Sequence, residues 1–258
     1  FGPGGPDPGA RVLAAEVAVA ISVNGTTQAV MMATPADLED FARGFALTEG
    51  LAKPDQILSV EVAPAGPGID LQLWLAEPAA ARLAARRRRM AGPVGCGLCG
   101  IETIEQALAE PPALPPGPLR LTPAQVMAAV AALPGGQALH DRTRAVHAAA
   151  FWAGGRILAT REDVGRHNAL DKLAGWAVRQ GAPVADGAVV MTSRVSIDLV
   201  QKVARLGAGV LIAVSAPTVA AVDLADRLGV TLICNARPDR FDLYSHSDRI
   251  TTEVQDAG

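Results

Sequence analysis

Hydrophobic and polar positions alternate along the first part of the chain with the two-residue period that is typical of β-strands. The segment AEVAVAISVNG, residues 15–25, has this period and ends in Asn24-Gly25. An Asn-Gly pair favours a tight hairpin turn because both residues adopt positive φ readily. Residues 26–33 then alternate again, so the pattern predicts two antiparallel strands joined at this pair.

The pattern changes to a helical period over residues 34–50, where apolar side chains recur every three or four positions. Thr34 is suited to cap the start of this helix, since its hydroxyl can accept a hydrogen bond from a backbone N–H of the first turn. Two further strands are predicted at 57–63 and 69–76. Residues 10–92 are therefore expected to form a small α+β unit.

The second half of the chain has continuous apolar runs that are separated by segments of helical period. Runs of this kind are typical of parallel strands in a sheet that helices cover. The predicted strands lie at 145–152, 156–163, 187–193, 209–215 and 230–236, and the predicted helices at 121–133, 168–181, 196–206 and 219–228. This half is therefore predicted to be an α/β layered domain.

A Pro-rich spacer, EPPALPPGP, separates the two patterns at residues 110–118. We expect a flexible Gly- and Pro-rich tail over residues 1–10, a small α+β domain over 11–118 and an α/β domain over 119–258. The first of these domains is expected to end in a Gly-rich cysteine segment and a short helix, IETIEQAL.

The composition of the 258 residues is that of a globular protein, with 50% hydrophobic and 19% charged residues. The net charge of −3 offers no general attraction for nucleic acid. The run Arg86–Arg89 is interpreted either as a solvated face or as a docking patch for an anionic partner. No secretory leader and no apolar stretch of about 18 residues is visible, so we expect a cytoplasmic protein that does not span a membrane.

Two of the three cysteines, Cys96 and Cys99, form the motif GCGLCG before a predicted short helix. The glycines leave an open backbone, and a thiolate near a helix N-terminus is stabilised by unpaired N–H groups. The motif by itself leaves three interpretations nearly level: structural zinc, a redox pair, or a nucleophile that carries sulfur. Cys234 lies inside the apolar run VTLICN and is expected to be a buried thiol without a chemical role.

Two segments that connect predicted strands to predicted helices are suited to bind phosphate. Ligands of parallel α/β sheets bind beyond the carboxyl ends of the strands, where helix N-termini point. The first segment offers Thr192, Ser193, Arg194 and Ser196, and the second offers Ser215 and Thr218. These residues are expected to cradle a diphosphate, although Ser196 and Thr218 are equally suited to cap the helices.

The segment TREDVGRHNALDKL, residues 160–173, places many polar groups at the end of a predicted strand. Because function concentrates on loops that a rigid scaffold positions, Arg166, His167 and Asn168 are expected to bind a polar ligand. Structural roles are open for the same segment. Asn168 can cap the following helix, and Asp163 can pair with Arg166.

His147 stands alone on an apolar predicted strand, in the segment TRAVHAAAFW. A single histidine in such a position is more often a core residue whose hydrogen bonds are satisfied than a catalytic group. The nearby Arg144 gives only slight support to a functional interpretation, so both remain open for this residue.

Seven segments of the chain resemble, in order, segments of the formate dehydrogenase accessory sulfurtransferase family, FdhD. They are VNGTTQAVMMATPADLEDFARGFALTEG, GCGLCG, TRAVHAAAFW, REDVGRHNALDKL, TSRVSIDLVQK, VSAPTVAAVDLA and FDLYSH, and they span nearly the whole chain. REDVGRHNALDKL is the most specific of them. FDLYSH differs from the more usual Asn and Thr at its second and fifth positions, where it retains polar groups.

The resemblance implies a cytidine-deaminase-like α/β/α C-terminal domain that follows a smaller α+β domain, in a homodimer. It implies that persulfide sulfur from a cysteine desulfurase passes through this protein to a molybdenum bis(molybdopterin guanine dinucleotide) cofactor, which then enters formate dehydrogenase. Cys96 matches the persulfide-bearing cysteine and Cys99 its partner. The residues that match the family's cofactor-binding motif are Phe241, Asp242, Leu243, Tyr244, Ser245 and His246. The cofactor is expected as a bound substrate, and no catalytic metal of the protein's own is expected.

Two rival functions are weighed against this one. A zinc-dependent base deaminase needs an H-x-E signature and a P-C-x-x-C pair. Here His147 is followed by Ala148 and Ala149, and Gly95 precedes Cys96, so the ligands and the acid/base residue of that chemistry are missing. The second rival is a chaperone that binds the molybdenum cofactor without carrying sulfur. The two surviving readings differ in whether the protein accepts a sulfur atom.

Overall fold

The computed structural model describes residues 12–77, 79–81 and 110–251. The predicted N-terminal tail, the arginine run, and the cysteine motif with its short helix lie outside these residues. The described part contains two β-sheets, one built from residues 17–75 and the other from residues 147–245. The chain is thus a mixed α/β protein, and each sheet forms from one of the two halves that differ in hydrophobic pattern.

The first sheet has four strands in the order β2-β1-β4-β3. They are β1 (Val17–Val23), β2 (Thr26–Ala33), β3 (Ile57–Ala65) and β4 (Gly68–Leu75). The predicted hairpin between β1 and β2 is confirmed, since Asn24 and Gly25 both have positive φ between two antiparallel strands. Helix α1 (Leu38–Thr48) covers one face of the sheet with Phe41 and Phe45.

Helix α1 begins at Leu38, so the predicted cap at Thr34 is wrong. The residue before the helix is Asp37, which has a φ of 53° and whose side chain makes no capping hydrogen bond. Thr34 is used elsewhere, because its hydroxyl accepts a hydrogen bond from the backbone N–H of Val164 at 3.2 Å. A contact between distant parts of the chain thus replaces the local cap that the sequence favoured.

The second sheet has six strands in the order β10-β9-β8-β7-β5-β6. They are β5 (His147–Ala153), β6 (Arg156–Asp163), β7 (Ala188–Met191), β8 (Val210–Ala213), β9 (Thr231–Arg237) and β10 (Arg240–Ser245). The predicted parallel pairing of the three apolar strands is confirmed for β7, β8 and β9. Antiparallel strands flank them, β5 and β6 on one side and β10 on the other.

Helices cover both faces of this sheet. They are α2 (Pro123–Ala132) on one face, and α4 (Arg166–Gln180), α5 (Ile197–Leu206) and α6 (Val219–Leu228) on the other, while the short α3 (Ala138–Thr143) precedes β5. The two cores consist mainly of Ala, Val, Leu and Ile side chains, as expected for strands that are buried on both faces. Among the helices of the described residues, none is long and apolar enough to cross a membrane.

Buried charges join α1 to the helices of the second sheet. Asp40 of α1 is 2% exposed and accepts a hydrogen bond from Arg179 of α4 at 2.8 Å. Lys202 of α5 lies 2.9 Å from Asp171 of α4 and 2.6 Å from Glu49, next to the end of α1. Burial opposes the charge on Lys202, but the two carboxylates outweigh it and raise its pKa above the ordinary value. The two sheets are therefore held together through ion pairs in which Asp40, Asp171 and Lys202 are buried.

Candidate functional site

Both predicted phosphate loops lie at the carboxyl ends of β7 and β8, where they contact each other. The first loop covers residues 192–196 and the second residues 214–218. The N–H of Val195 donates to the carbonyl of Ala216 at 3.1 Å, and the N–H of Thr218 donates to the carbonyl of Val195 at 3.0 Å. These bonds make the two loops a single polar surface at one edge of the sheet.

The side chains of these loops divide between structural and open positions. Thr218 accepts a hydrogen bond from the N–H of Ala221 at 3.2 Å, which confirms its predicted role as the cap of α6. Ser193 is buried and donates to the carbonyl of Arg194 at 3.1 Å. The Arg194 side chain is exposed and Ser215 is half-buried, so these two are the loop residues best placed to meet a ligand.

His147 opens β5 at the same edge, because β5 runs antiparallel to β7. Its Nδ1 lies 3.5 Å from the hydroxyl of Thr192, the first residue of the first loop. Burial lowers the pKa of His147, and the charge of Arg166, together with that of His140 and His167 when they are protonated, lowers it further. His147 is thus a member of a cation-rich cluster, and it favours the neutral imidazole.

An ion pair between His167 and Asp198 brings two helix N-termini together. His167 lies in the first turn of α4, and Asp198 lies in the first turn of α5. Burial raises the pKa of Asp198, but hydrogen bonds with His167 and Ser196 outweigh it and hold that pKa well below the ordinary value. The carboxylate therefore stays ionised through the neutral range and fixes the orientation of the imidazole.

Arg166 is the first residue of α4, and its Nε atom is buried. Within the part of the chain that the structure describes, this N–H has no hydrogen-bond partner. Unpaired buried donors are rare in folded proteins because they lose their water without replacement. The predicted pair between Arg166 and Asp163 is wrong, since Asp163 binds Lys172 at 2.7 Å instead. Arg166 is thus left with a fixed positive charge and a donor for a ligand.

Asp163 holds the turn from which Arg166 and His167 project. Its Oδ1 accepts hydrogen bonds from the N–H of Gly165 at 2.8 Å and from the amide of Asn168 at 2.9 Å. Its Oδ2 accepts from the N–H of Thr34 at 3.0 Å and from Lys172 Nζ at 2.7 Å. One carboxylate thereby fixes the turn before α4 and ties it to the end of β2.

Asn168 belongs to this framework and not to the helix cap that the sequence suggested. The residue before α4 is Gly165, so Asn168 lies inside the first turn. Its Nδ2 also donates to the carbonyl of Met32 at 2.9 Å, and the residue is 5% exposed. These contacts stabilise the turn from which Arg166 and His167 project. Direct contact of Asn168 with a ligand stays a prediction.

The C-terminal motif begins at the same edge of the sheet as the loops. Its first five residues lie on the edge strand β10, where Phe241 is half-buried and Asp242, Leu243 and Tyr244 are exposed. Asn235 donates to the Asp242 carboxylate at 2.8 Å and to the Tyr244 hydroxyl at 3.1 Å. The N–H of Asn235 also donates to the carbonyl of Ser215 at 3.1 Å. These bonds connect the motif to the second of the two loops, residues 214–218.

The motif ends at the other end of β10, far from the two loops. Ser245 is 7% exposed, and its hydroxyl accepts from the N–H of Leu232 at 3.1 Å and donates to the carbonyl of Val230 at 2.8 Å. His246 follows with a φ of 47°, and its Nε2 lies 2.7 Å from the carbonyl of Asp226. Binding of the cofactor by Ser245 and His246 stays a prediction, since β10 carries these two residues away from the loops.

Cys96 and Cys99 lie outside the described residues, so their roles stay predictions. Cys234 is 0% exposed, which confirms that it is buried, and burial together with the charge of Asp242 raises its pKa to about 12. A thiol of this kind is unreactive at neutral pH. Residues 12–77, 79–81 and 110–251 contain no group of three or more His, Cys, Asp or Glu side chains that could hold a metal ion.

Sequence reasoning missed two members of the cluster, Asp198 and His140. Asp198 occupies the second position of α5, as His167 does in α4, and both helices begin at the carboxyl edge of the sheet. That shared position is a signal that the sequence did contain. His140 lies in α3, for which no element was predicted, and only the folded chain brings it near His147.

Comparison with known proteins agrees with this architecture. The chain is 51% identical over 249 residues to the sulfur carrier protein FdhD of Agrobacterium fabrum, covering 96% of this chain and 92% of that protein. It is 48% identical over 242 residues to the sulfur carrier protein FdhD of Brucella abortus, covering 93% and 90%. A crystal structure of a protein assigned as a formate dehydrogenase accessory protein, from Desulfotalea psychrophila, superposes with a TM-score of 0.77 at 26% identity, covering 97% of this chain and 96% of the other.

The family model described as FdhD/NarQ matches residues 14–251, which include the two loops, the histidine–arginine cluster and the C-terminal motif. The match covers far more than half of the sequence, and the solved structure shares the arrangement of the chain over almost its full length. The resemblance inferred from the seven sequence segments is thereby confirmed. This chain belongs to the FdhD/NarQ family.

Proposed function

We propose that this chain is a sulfur carrier protein that is required for formate dehydrogenase activity. It receives persulfide sulfur from a cysteine desulfurase and delivers it to a molybdenum bis(molybdopterin guanine dinucleotide) cofactor, which is its bound substrate. The observation that carries this proposal is the 51% identity, over 96% of the chain, to a protein named as a sulfur carrier. At such identity the two chains share one fold, and the helix N-termini and arginine side chains at the carboxyl ends of the strands support binding of a phosphate-bearing ligand.

Sulfur is carried on Cys96. Its thiolate attacks the outer sulfur of the desulfurase persulfide, so a new S–S bond forms at Cys96 and the cysteine of the donor leaves as a thiolate. No net oxidation occurs in this exchange. Cys99 serves as a second carrier or resolves the persulfide. In the second case its thiolate attacks the inner sulfur, releases hydrosulfide and leaves a Cys96–Cys99 disulfide that a cellular dithiol must reduce.

The cofactor binds at the carboxyl edge of the second sheet. Arg194, Ser215 and the first turn of α6 face the diphosphate from the two joined loops, and Arg166 and His167 face it from the first turn of α4. Helix N-termini and arginine side chains are the usual partners of phosphate in proteins. The exposed residues Asp242 and Tyr244 extend this surface along β10, next to Ser215.

We further propose a cytidine-deaminase-like architecture for the second sheet and its helices, a homodimer, and action in the cytoplasm. Support for the architecture comes from three parallel strands flanked by antiparallel ones, with helices on both faces. The deaminase signature is absent from the sequence, so this fold is used here without deaminase chemistry. Reduced thiols are required for persulfide exchange, and the cytoplasm keeps them reduced.

Sulfur transfer is tested with a purified cysteine desulfurase and ³⁵S-cysteine, followed by non-reducing gels. Wild type, Cys96→Ala, Cys99→Ala and Cys234→Ala are compared, the last as the matched control because that thiol is buried. Label is expected on wild type and on Cys234→Ala, and its loss is expected in Cys96→Ala. Label that persists unchanged in Cys96→Ala would contradict the assignment of the carrier residue.

The alternative, a chaperone that holds the cofactor without carrying sulfur, gives a different result in the same experiment. Wild type then takes up no label from a desulfurase that is shown to be active, yet it still binds GDP as a fragment of the cofactor. Maturation of formate dehydrogenase in cells would also survive the Cys96→Ala change. Either of these results would replace sulfur transfer with cofactor delivery as the function.

A further inference from the structure

Positive groups outnumber negative ones around His147. Arg166, His140 and His167 are close enough to lower the pKa of His147 by their charge, which adds to the larger effect of burial. Asp198, a carboxylate of this cluster, is paired with His167. A half-buried cluster with surplus positive charge is unstable unless an anion joins it or its histidines stay neutral.

The other carboxylates at this end of the strands are already engaged. Glu162 of β6 accepts hydrogen bonds at 2.8 Å from the backbone N–H groups of both Leu139 and His140. Asp163, which lies opposite His147 across the strand pair, is bound by Lys172. Both carboxylates are therefore directed at other groups, and neither is a hydrogen-bond partner of the Arg166 Nε–H, which lacks a partner among the described residues.

The geometry at this edge also favours an anion with several oxygens. The N-termini of α4 and α5 meet at the contact between His167 and Asp198, and both helices carry partial positive charge at that end. The ring of His147, at the start of β5, lies 3.5 Å from the hydroxyl of Thr192 at the end of β7, and it is close enough to Arg166 and His167 for their charges to lower its pKa. Polar groups that could meet one anion thus come from β5, from the first loop and from the first turn of α4.

We propose that Arg166, His147 and His167 form a subsite for a doubly charged oxyanion, with Asp198 as a positioning residue that orients His167. The identification of this anion as the diphosphate of the cofactor rests on the proposed function. Arg166 supplies the fixed charge, and His147 gains a proton as the anion binds. Affinity for the anion therefore rises as the pH falls toward and below the ordinary pKa of histidine, about 6.5.

The groups that face His147 determine whether it gains or loses a proton when the anion binds. They are Thr192 from the first loop, Arg166 and His167 from α4, His140 from α3 and the engaged Asp163 from β6. In the free protein the cations disfavour the imidazolium. A bound dianion cancels their repulsion, so the pKa of His147 rises and binding takes up a proton.

The chain suits a direct test by nuclear magnetic resonance, because it contains only four histidines. The imidazole C–H signals are followed between pH 5 and 8 without ligand, with sulfate, and with GDP. Sulfate carries no titrating proton in this range, so any change in pH dependence belongs to the protein. The midpoint of the signal assigned to His147 by the His147→Asn variant is expected to move upward with both ligands.

Two arginine variants test the fixed charge. Arg166→Gln is expected to weaken binding of sulfate and of GDP by about tenfold or more, the usual effect of losing a charge-assisted hydrogen bond. Arg156→Gln is the matched control, because Arg156 is exposed at the far end of β6. The affinity of this variant for both ligands should stay within about twofold of the wild-type affinity. Asp198→Asn is expected to weaken binding of both ligands and to change the tautomer signature of His167 in the nitrogen resonances, whereas a merely structural role would change that signature without weakening binding.

Each outcome bears on a different part of the proposal. If neither ligand moves the signals of His140, His147 and His167 while GDP is shown to bind, the subsite is elsewhere. Movement by sulfate but not by GDP would refute the assignment to a phosphate. If both ligands move the histidine signals but the Cys96→Ala variant takes up sulfur normally, the subsite is supported. The assignment of Cys96 as the carrier residue is then wrong.

Discussion

Gly44 of α1 and Gly175 of α4 lie against each other where the two helices cross. A Cβ atom on Gly44 would overlap the carbonyl group of Asp171 and would approach the backbone nitrogen of Gly175 to 2.7 Å. A Cβ atom on Gly175 would overlap the carbonyl group of Asp40. Backbone thus packs on backbone at this crossing, which brings the buried charges of α1 within reach of their partners on α4.

This packing predicts that Gly175→Ala destabilises the protein. Alanine favours a helix over glycine by about 1 kcal/mol, but the added methyl group meets backbone atoms that cannot move aside. We expect a net loss of about 2 kcal/mol or more in the free energy of urea unfolding, in line with the cost of overpacking. Gly135→Ala is the control, because a Cβ atom there meets nothing within 4 Å. Equal stability of both variants would show that the helices separate at little cost.

Sequence pattern was sufficient to predict the described strands except β10, and the described helices except the short α3, because burial on one or both faces leaves a periodic signal. The parallel strands β7, β8 and β9 follow directly from continuous apolar runs with helices between them. The start of α1 was wrong because Thr34 binds Val164 and Asp163, which are distant in the chain. A local sequence pattern cannot predict a contact between residues that are so distant in the chain.

The candidate site was predictable only in part. The loops and Arg166 with His167 stand at strand ends, where position alone suggests a ligand. Within REDVGRHNALDKL, however, Asp163, Asn168 and Lys172 serve the junction between the two sheets and face away from the loops. Sequence composition cannot separate these two uses of polar residues, since both require the same hydrogen-bonding groups near an apolar strand.

The buried pair of Asp163 and Lys172 predicts a large cost for Asp163→Asn. Lys172 is 0% exposed, and its loss of a counter-ion should destabilise the protein by about 3–5 kcal/mol. The double variant Asp163→Asn with Lys172→Met should recover part of this, because it removes the uncompensated charge. Urea unfolding of the single and double variants measures both effects. A double variant no more stable than Asp163→Asn would mean that the hydrogen bonds to Gly165 and Thr34 matter more than the ion pair.

The same substitution should also weaken ligand binding under conditions in which the protein stays folded. Asp163 fixes the turn that presents Arg166 and His167, through its bond with the N–H of Gly165 at 2.8 Å. We expect the affinity of Asp163→Asn for GDP to fall by a factor of about 3–10 at 10 °C, as befits a residue that acts through its neighbours. Unchanged affinity in the folded variant would show that α4 alone holds Arg166 and His167 in place.

The hairpin between β1 and β2 predicts a smaller effect at Asn24. This residue has a φ of 47°, and its side-chain carbonyl accepts a hydrogen bond from the N–H of Leu75 at 2.8 Å. Asn24→Ala should cost about 2 kcal/mol, since alanine is strained at positive φ and leaves that N–H without its partner. Asn24→Gly avoids the backbone strain but still loses the hydrogen bond to Leu75, so it should cost about half as much as Asn24→Ala. Similar losses in the two variants would assign the whole effect to the hydrogen bond.

The buried thiol of Cys234 predicts an unusual pH profile of chemical reactivity. Its pKa is raised to about 12, against an ordinary value of 9.0, first by burial and then by the charge of Asp242. In a Cys96→Ser, Cys99→Ser variant, iodoacetamide should react with the folded protein on the order of a hundredfold more slowly at pH 9 than with the same protein in urea, since the thiolate is the reactive form. Rates that differ by less than about threefold would show that Cys234 is accessible and ionised near its normal pKa.

The same shift makes the stability of the fold depend on alkaline pH. Folding favours the neutral thiol, so the contribution of Cys234 to stability is fully present below pH 9 and is lost as the pH rises from 9 toward 12. The free energy of unfolding of the wild type should therefore fall relative to Cys234→Ala by on the order of 1 kcal/mol per pH unit across this window. Cys234→Ala lacks the thiol but keeps every other group that titrates at alkaline pH, including Lys202. The difference between the two stability profiles is therefore the contribution of the Cys234 thiol. Parallel profiles for the two proteins would mean that strand β9 lets solvent reach the sulfur before the thiolate becomes costly.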